Sequence, residues 1–184
     1  MSVKLETSRL LLRTIGESHS AAVLDFVVRN RHFLAEWEPL RSPAYFTEEE
    51  QRRMLTNDTK AMEQGQLLKL WIFKRDEPER VIGCVSLSNI VGGAFQSCHL
   101  GYKMDQEENG KGFMTEAVKH ISDYGFRVLK LHRIEANIMP RNAASLKVVE
   151  KLGFNDEGLA RKYLKINGKW EDHIHMVLLN EELE

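Results

Sequence analysis

Apolar residues recur at two periods along the chain, one of strands and one of helices. Residues 9–15 mix leucine, arginine and threonine in near alternation and predict a first strand. Residues 18–34 carry apolar side chains at helical spacing, with Ala22, Phe26, Val27 and Phe33 as the buried stripe. Thr47 and Glu50 stand at capping-box spacing, so a polar helix begins there and runs to about Gly65, where glycine supplies a stop. Residues 67–74 place large apolar and aromatic side chains on both faces, which predicts a central strand. Residues 81–89 follow an Asp-Glu-Pro turn, and the Gly92-Gly93 pair links them to another strand, 97–104, making a β-meander. A glycine-bearing loop, 106–112, feeds a helix with Phe113, Ala117, Ile121, Tyr124 and Val128 along one face. Then come a strand (133–139), a helix (142–152) and two closing strands (159–166 and 170–179), with Asn167-Gly168 as a hairpin turn. The pattern predicts a mixed α/β sheet, antiparallel at both ends, with one strand-loop-helix-strand crossover in the middle.

Composition narrows the class. A chain of 184 residues with 42% hydrophobic content can bury one substantial core without disulfides or metals, and no repeat, low-complexity block or proline-rich linker divides it. Residues 1–184 therefore read as one domain. The 26 basic and 27 acidic side chains nearly cancel, so the charge balance advertises neither nucleic acid nor an anionic membrane as partner. Cys84 and Cys98 fall in strand-like stretches without the spacing of a zinc site or redox pair, and read as buried free thiols. The apolar run near the N-terminus is too short for a signal peptide or a membrane span and is flanked by charges, as expected of a cytoplasmic protein.

The segment richest in chemistry is LGYKMDQEENGKGFMTEA, residues 100–117. A strand enters a short loop with Gly110 and Gly112, and the loop opens a helix whose first amides lack intrahelical partners. Free amides at the positive end of a helix dipole suit a pyrophosphate, and glycine lets the backbone approach its oxygens. An ordinary glycine turn would look the same. Two nucleotide motifs are disfavoured: Lys111 is followed by Gly112 rather than a hydroxyl residue, and Thr115 stands where a dinucleotide fingerprint has its third glycine.

Glu107-Glu108-Asn109-Gly110-Lys111-Gly112 resembles the Q/R-x-x-G-x-G/A loop of the GNAT superfamily, with Glu107 in place of the usual Gln or Arg. The stretches TSRLLLR, NRHFLAEWEP, HRIEANIMPRNAAS, KLGF and YLKINGKWEDH extend the likeness to RimJ-type N-terminal acetyltransferases over nearly the full length. The resemblance implies a seven-stranded, mostly antiparallel sheet with about four helices and a splayed pair of central strands. It also implies acetyl-CoA as donor, no metal, and as acceptor the α-amine of a protein such as a ribosomal protein. It places the cofactor on the loop residues Glu108, Asn109, Gly110, Lys111, Gly112 and Phe113, on the backbone of Tyr102, Lys103 and Met104, and on Asn142. Ser145 matches a hydroxyl near the sulfur, able to return a proton to the departing thiolate.

Each of these residues has a structural reading as well. Asn142 is a good helix N-cap after Pro140, and Ser145 at the third helical position can serve the same turn. The glutamate expected as base in RimL-type relatives falls on Leu164, which leaves Glu135, Asp172 and His173 as candidates, each also explicable as a strand or turn residue. Trp37-Glu38-Pro39 falls in the link that walls the acceptor site in this superfamily, where Glu36 and Glu38 suit a cationic N-terminus or simply solvate a loop. His173 and His175 share one strand face but lack a third ligand, so they read as satisfied surface histidines. A GNAT enzyme acting on a small-molecule amine, and a noncatalytic CoA-binding protein that docks on a ribosomal or other assembly, suggested by Glu107 and the missing glutamate, are the alternatives.

Overall fold

The structure, a computed structural model, describes residues 2–183; Met1 and Glu184 lie outside the described residues. The chain forms β1 (Lys4–Glu6), β2 (Leu10–Arg13), α1 (Ser20–Arg29), α2 (Arg31–Ala35), α3 (Glu48–Glu63), β3 (Leu67–Lys74), β4 (Glu77–Val91) and β5 (Ser97–Met104). It continues through α4 (Phe113–Arg127), β6 (Arg133–Ile138), α5 (Ala143–Lys151), β7 (Asn155–Ile166) and β8 (Lys169–Leu179). The strands make one sheet in the order β1-β2-β3-β4-β5-β6-β8-β7, with β5 and β6 the parallel neighbours and every other pair antiparallel. The crossover through α4 is therefore the expected one. The sheet has eight strands rather than seven, because the three-residue β1, too short to show a period, pairs with β2 at the edge.

Two apolar layers cover the sheet. On one face α4 and α5 pack Ala117, Val118, Ile121 and Val149 against Leu68, Leu70, Ile72 and Ile134. On the other, α1 and α3 bring Val23, Phe26, Val27 and Leu55 onto Trp71, Phe73 and Val81. Strand β3 serves both layers, which is why its sequence shows no polar face. Phe26 meets Trp71 edge-on, with ring centroids 6.3 Å apart.

The structure departs from three expectations. The first long helix breaks at Asn30, whose side-chain amide donates to the Phe26 carbonyl at 2.9 Å and so competes with the next helical turn. Ala22 and Phe33 are accordingly only partly buried, while Val23 and Leu34 take the core positions. Val128 is exposed, because α4 ends at Arg127 and the chain turns away. The Thr47 cap is present and accepts from the Glu50 amide at 3.3 Å, but the Glu50 carboxylate turns to Arg53, so only half of the box forms. Asn167 and Gly168, with φ of 45° and 81°, make the tight turn expected of them.

Candidate active site

The central strands part company halfway along. Pairing between β5 and β6 ends at Leu100 opposite Ala136, whereas β4 follows β5 to Met104 and β8 follows β6 to Ile138. From residue 101 onward β5 therefore faces an open wedge. Every second residue there directs its N–H and C=O away from β4. Such groups need a partner, since burying them unpaired is costly.

Beyond the wedge the chain makes a tightly pinned loop. Asp105, buried, accepts from the Glu107 amide at 3.1 Å and pairs with Arg29 at 2.6 Å. Gly110 and Gly112 have φ of 76° and 80°, a region that favours glycine, and a Cβ built on Gly110 would meet nothing within 4 Å. Arg9 reaches across to donate to the Lys111 carbonyl at 2.9 Å, pairs with Glu116 at 2.8 Å, and lies 4.5 Å over the Phe113 ring. Glu108 is held between Lys111 at 2.8 Å and Lys74 at 3.2 Å. The Lys111 hydrogen bond, with Lys74, keeps its carboxyl below the usual range against the effect of burial. Its contribution to stability is present above the ordinary carboxylate range and is lost as pH falls through the depressed pKa.

The first amides of α4 open onto a cleft of about 340 Å³, lined also by Met104, Asn109, Lys147 and Lys151. Glu107, the unusual acid, points elsewhere: its carboxylate is exposed and pairs with Arg80 at 3.0 Å. The loop thus presents its backbone, not that charge.

Where α5 meets the wedge, Asn142 caps the helix by accepting from the Ser145 amide at 3.2 Å. Ser145 does not serve that turn with its hydroxyl. It donates to the Tyr102 phenol oxygen at 2.8 Å, and Tyr102 in turn donates to the Ser145 carbonyl at 2.9 Å. Burial pushes the Tyr102 phenol up to about 12, against the opposing hydrogen bond from Ser145. A neutral phenol and a hydroxyl therefore stand together beside the wedge, where the sequence pointed to the Tyr102 backbone alone.

The opposite face of β5 carries Lys103, whose ammonium lies 2.8 Å from Glu38 and 3.2 Å from the Tyr45 hydroxyl. Burial opposes its charge, but Cys84, Glu38 and Tyr45 outweigh it and hold the lysine above its ordinary range. Cys84 is itself pushed up by burial and is a neutral thiol near pH 7, which leaves the Glu38 carboxylate as the effective counter-charge. Glu36 pairs with Arg141 at 2.5 Å, and the Arg141 guanidinium lies 5.0 Å over the Trp37 ring. Neither acid of the α2 link is an unpaired anion. The Asn167 amide donates to the Glu38 carbonyl at 2.8 Å, tying the β7–β8 hairpin to this link.

The base candidates separate clearly. The Asp172 carboxylate accepts from the Lys162 amide at 2.8 Å, within the irregular stretch of the hairpin. His173 is buried rather than a surface residue, with Nδ1 3.0 Å from the Glu171 carbonyl. Glu135 pairs with Arg133 at 3.0 Å and with His175 at 2.8 Å; burial raises its pKa, but these two partners hold the carboxyl below the usual range. Leu164 is exposed. Cys98 is pushed up to about 12 by burial, so neither cysteine offers a thiolate. Among the described residues no group of three His, Cys, Asp or Glu stands together as a metal site. Nor is any helix among them long and apolar enough to cross a membrane.

Comparison with known proteins gives a consistent result. The family profile of the acetyltransferase (GNAT) domain matches residues 9–155. The chain is 42% identical over 180 residues to the probable N-acetyltransferase YjcK of Bacillus subtilis, covering 98% of this chain and 99% of that protein. It superposes with a TM-score of 0.93 and 40% identity on the crystal structure of ribosomal-protein-S5-alanine acetyltransferase from Vibrio fischeri, covering 99% of both chains. Mycobacterium smegmatis RimJ in complex with CoA-disulfide follows at a TM-score of 0.90 and 27% identity, over 99% of this chain and 88% of that one.

Proposed function

We propose that this chain, which belongs to the GNAT acetyltransferase family and is an acetyl-CoA-dependent N-acetyltransferase, acts on the α-amine at protein N-termini, a ribosomal protein among them. The observation that carries the choice of acceptor is the end-to-end likeness to the S5-alanine enzyme, which spans the α2 link and the β7–β8 hairpin as well as the loop. Chemistry supports it. Glu36, Glu38 and Glu135 are all paired, so none of these three carboxylates stands ready to strip a lysine of pKa ~10.4, whereas an α-amine of pKa ~8 is roughly a tenth neutral at pH 7.

In this reading residues 1–184 are one acetyltransferase domain working in the cytoplasm. The amides and glycines of Glu108, Asn109, Gly110, Lys111, Gly112 and Phe113 take the pyrophosphate. The open side of Gly110 and the nearby cations Lys147 and Lys151 fit such an anion. The backbone along Tyr102, Lys103 and Met104 pairs, at every second residue, with the cofactor arm in the wedge, next to Asn142. Acetyl-CoA supplies the activated acyl group. Ser145, hydrogen-bonded to Tyr102, returns a proton to the leaving thiolate. One of the features that suggested a noncatalytic protein, Glu107, is turned onto Arg80 and leaves the amide cradle clear.

A competition assay tests the acceptor. Peptides with a free Ala or Ser N-terminus are expected to be acetylated faster than the same peptides blocked at the α-amine and carrying an internal lysine. Faster reaction of the blocked peptides across the neutral range would overturn the N-terminal assignment.

A further inference from the structure

Glu135 on β6 and His175 on β8 form a diagonal cross-strand pair on the same sheet face as Lys103. Nδ1 of His175 lies 2.8 Å from the Glu135 carboxylate, which only accepts, so that nitrogen carries the hydrogen and Nε2 is left as a bare acceptor. The Tyr163 ring stands edge-on to the imidazole with centroids 5.0 Å apart and keeps its plane in place. Beside this dyad, Asn137 pairs across the strands with His175 and is the first β6 residue past the last β5–β6 pair. Its side-chain oxygen is buried without a hydrogen-bond partner. A residue with an orphan acceptor and one with a bare imidazole nitrogen thus stand opposite each other just past the last β5–β6 pair.

The other groups around the dyad do not compete for that nitrogen. Arg133 binds Glu135 and Glu157, and His99 approaches the Glu135 carboxylate no closer than 3.9 Å. His173, also against the Tyr163 ring, is engaged with the Glu171 carbonyl.

We propose that His175, oriented by Glu135, accepts the proton of the incoming ammonium through one water. The ammonium gives one proton to the water while the water passes one of its own to Nε2. The freed lone pair forms the N–C bond to the acetyl carbon as the C–S bond breaks. The second nitrogen proton ends on the leaving sulfur, and the imidazolium releases its proton to solvent. His175 is then the base that the likeness to RimL-type enzymes had placed at Leu164, and Glu135 is a positioning residue.

The decisive measurement is the ratio of wild-type to His175→Gln kcat/KM as a function of pH, with CoA affinity and melting temperature measured on both proteins. An α-amine of pKa ~8 is only about 3% neutral at pH 6.5, so the variant is expected to be roughly thirtyfold slower there and to converge on wild type near pH 9.5, where the amine arrives neutral. The convergence point rests on the α-amine reading; with a lysine acceptor the ratio would still fall with pH but close only above about pH 10.4, so the two readings fail separately. Nitrogen-15 NMR of the His175 imidazole in the wild-type protein should show Nδ1–H with Nε2 unprotonated, and Glu135→Ala should lose that bias. A ratio that does not change with pH, a fully active variant, or an Nε2–H tautomer in the wild type would each overturn the proposal.

Discussion

Gly110→Val is expected to leave the fold intact and to lower CoA affinity by about two to three orders of magnitude. Two effects point the same way. A β-branched residue at φ of 76° carries roughly 1–2 kcal/mol of backbone strain, and the loop can relieve it only by abandoning the conformation that aims its amides outward. The new side chain also projects into space that is open in the protein, where an anion would sit, so charge-assisted hydrogen bonds worth about 1.5–3 kcal/mol each are lost. At about 1.4 kcal/mol per tenfold the sum reaches the stated range. Calorimetry with CoA alone reads the affinity and a thermal melt reads the fold. Undiminished affinity in a folded variant would remove the loop from the binding site.

The second large effect concerns the Ser145–Tyr102 pair. Ser145→Ala should lower kcat by about a hundredfold while the apparent constant for acetyl-CoA stays near wild type, because a proton donor acts in the transition state. Helix α5 should keep its stability, since Asn142 and not the serine hydroxyl caps it. Tyr102→Phe removes the other half of the same hydrogen-bonded pair and should cost a similar factor. The double variant should be little worse than either single one, as expected of residues that act as a unit. Full turnover in Ser145→Ala with a loss confined to Tyr102→Phe would transfer the acid role to the tyrosine.

How far the sequence revealed this molecule differs between fold and site. Strand and helix order was legible because one-sided burial imposes a period of two on strands and of about 3.6 on helices, and β3 declared itself by lacking a polar face. What the periods missed were local competitions. The amide of Asn30 ends a helix that hydrophobic spacing alone would continue, and β1 is too short to have a period. At the site, residues close in sequence were visible: the glycines of the loop and the Asn142 cap. Contacts between distant segments were not. Nothing in TSRLLLR marks Arg9 as the clamp on Lys111, and His175 read as a satisfied surface histidine until β6 brought Glu135 alongside it. The tyrosine in LGYKM was assigned for its backbone, whereas its side chain holds Ser145.

Lys103 has a dual position that bears on how this protein can drift in evolution. It lies on the stretch of β5 that borders the wedge while its ammonium is locked to Glu38 on the link after α2, beneath the hairpin contact at Asn167. Loss of either partner strands a largely desolvated charge, which is more damaging than loss of both. The two positions are therefore expected to change together among homologues: acid with base, or neutral with neutral. Because one lies on the strand that borders the wedge and the other on the link after α2, such paired exchange would couple the seating of that link to the geometry of the strand, and single steps between the two pairings should be rare.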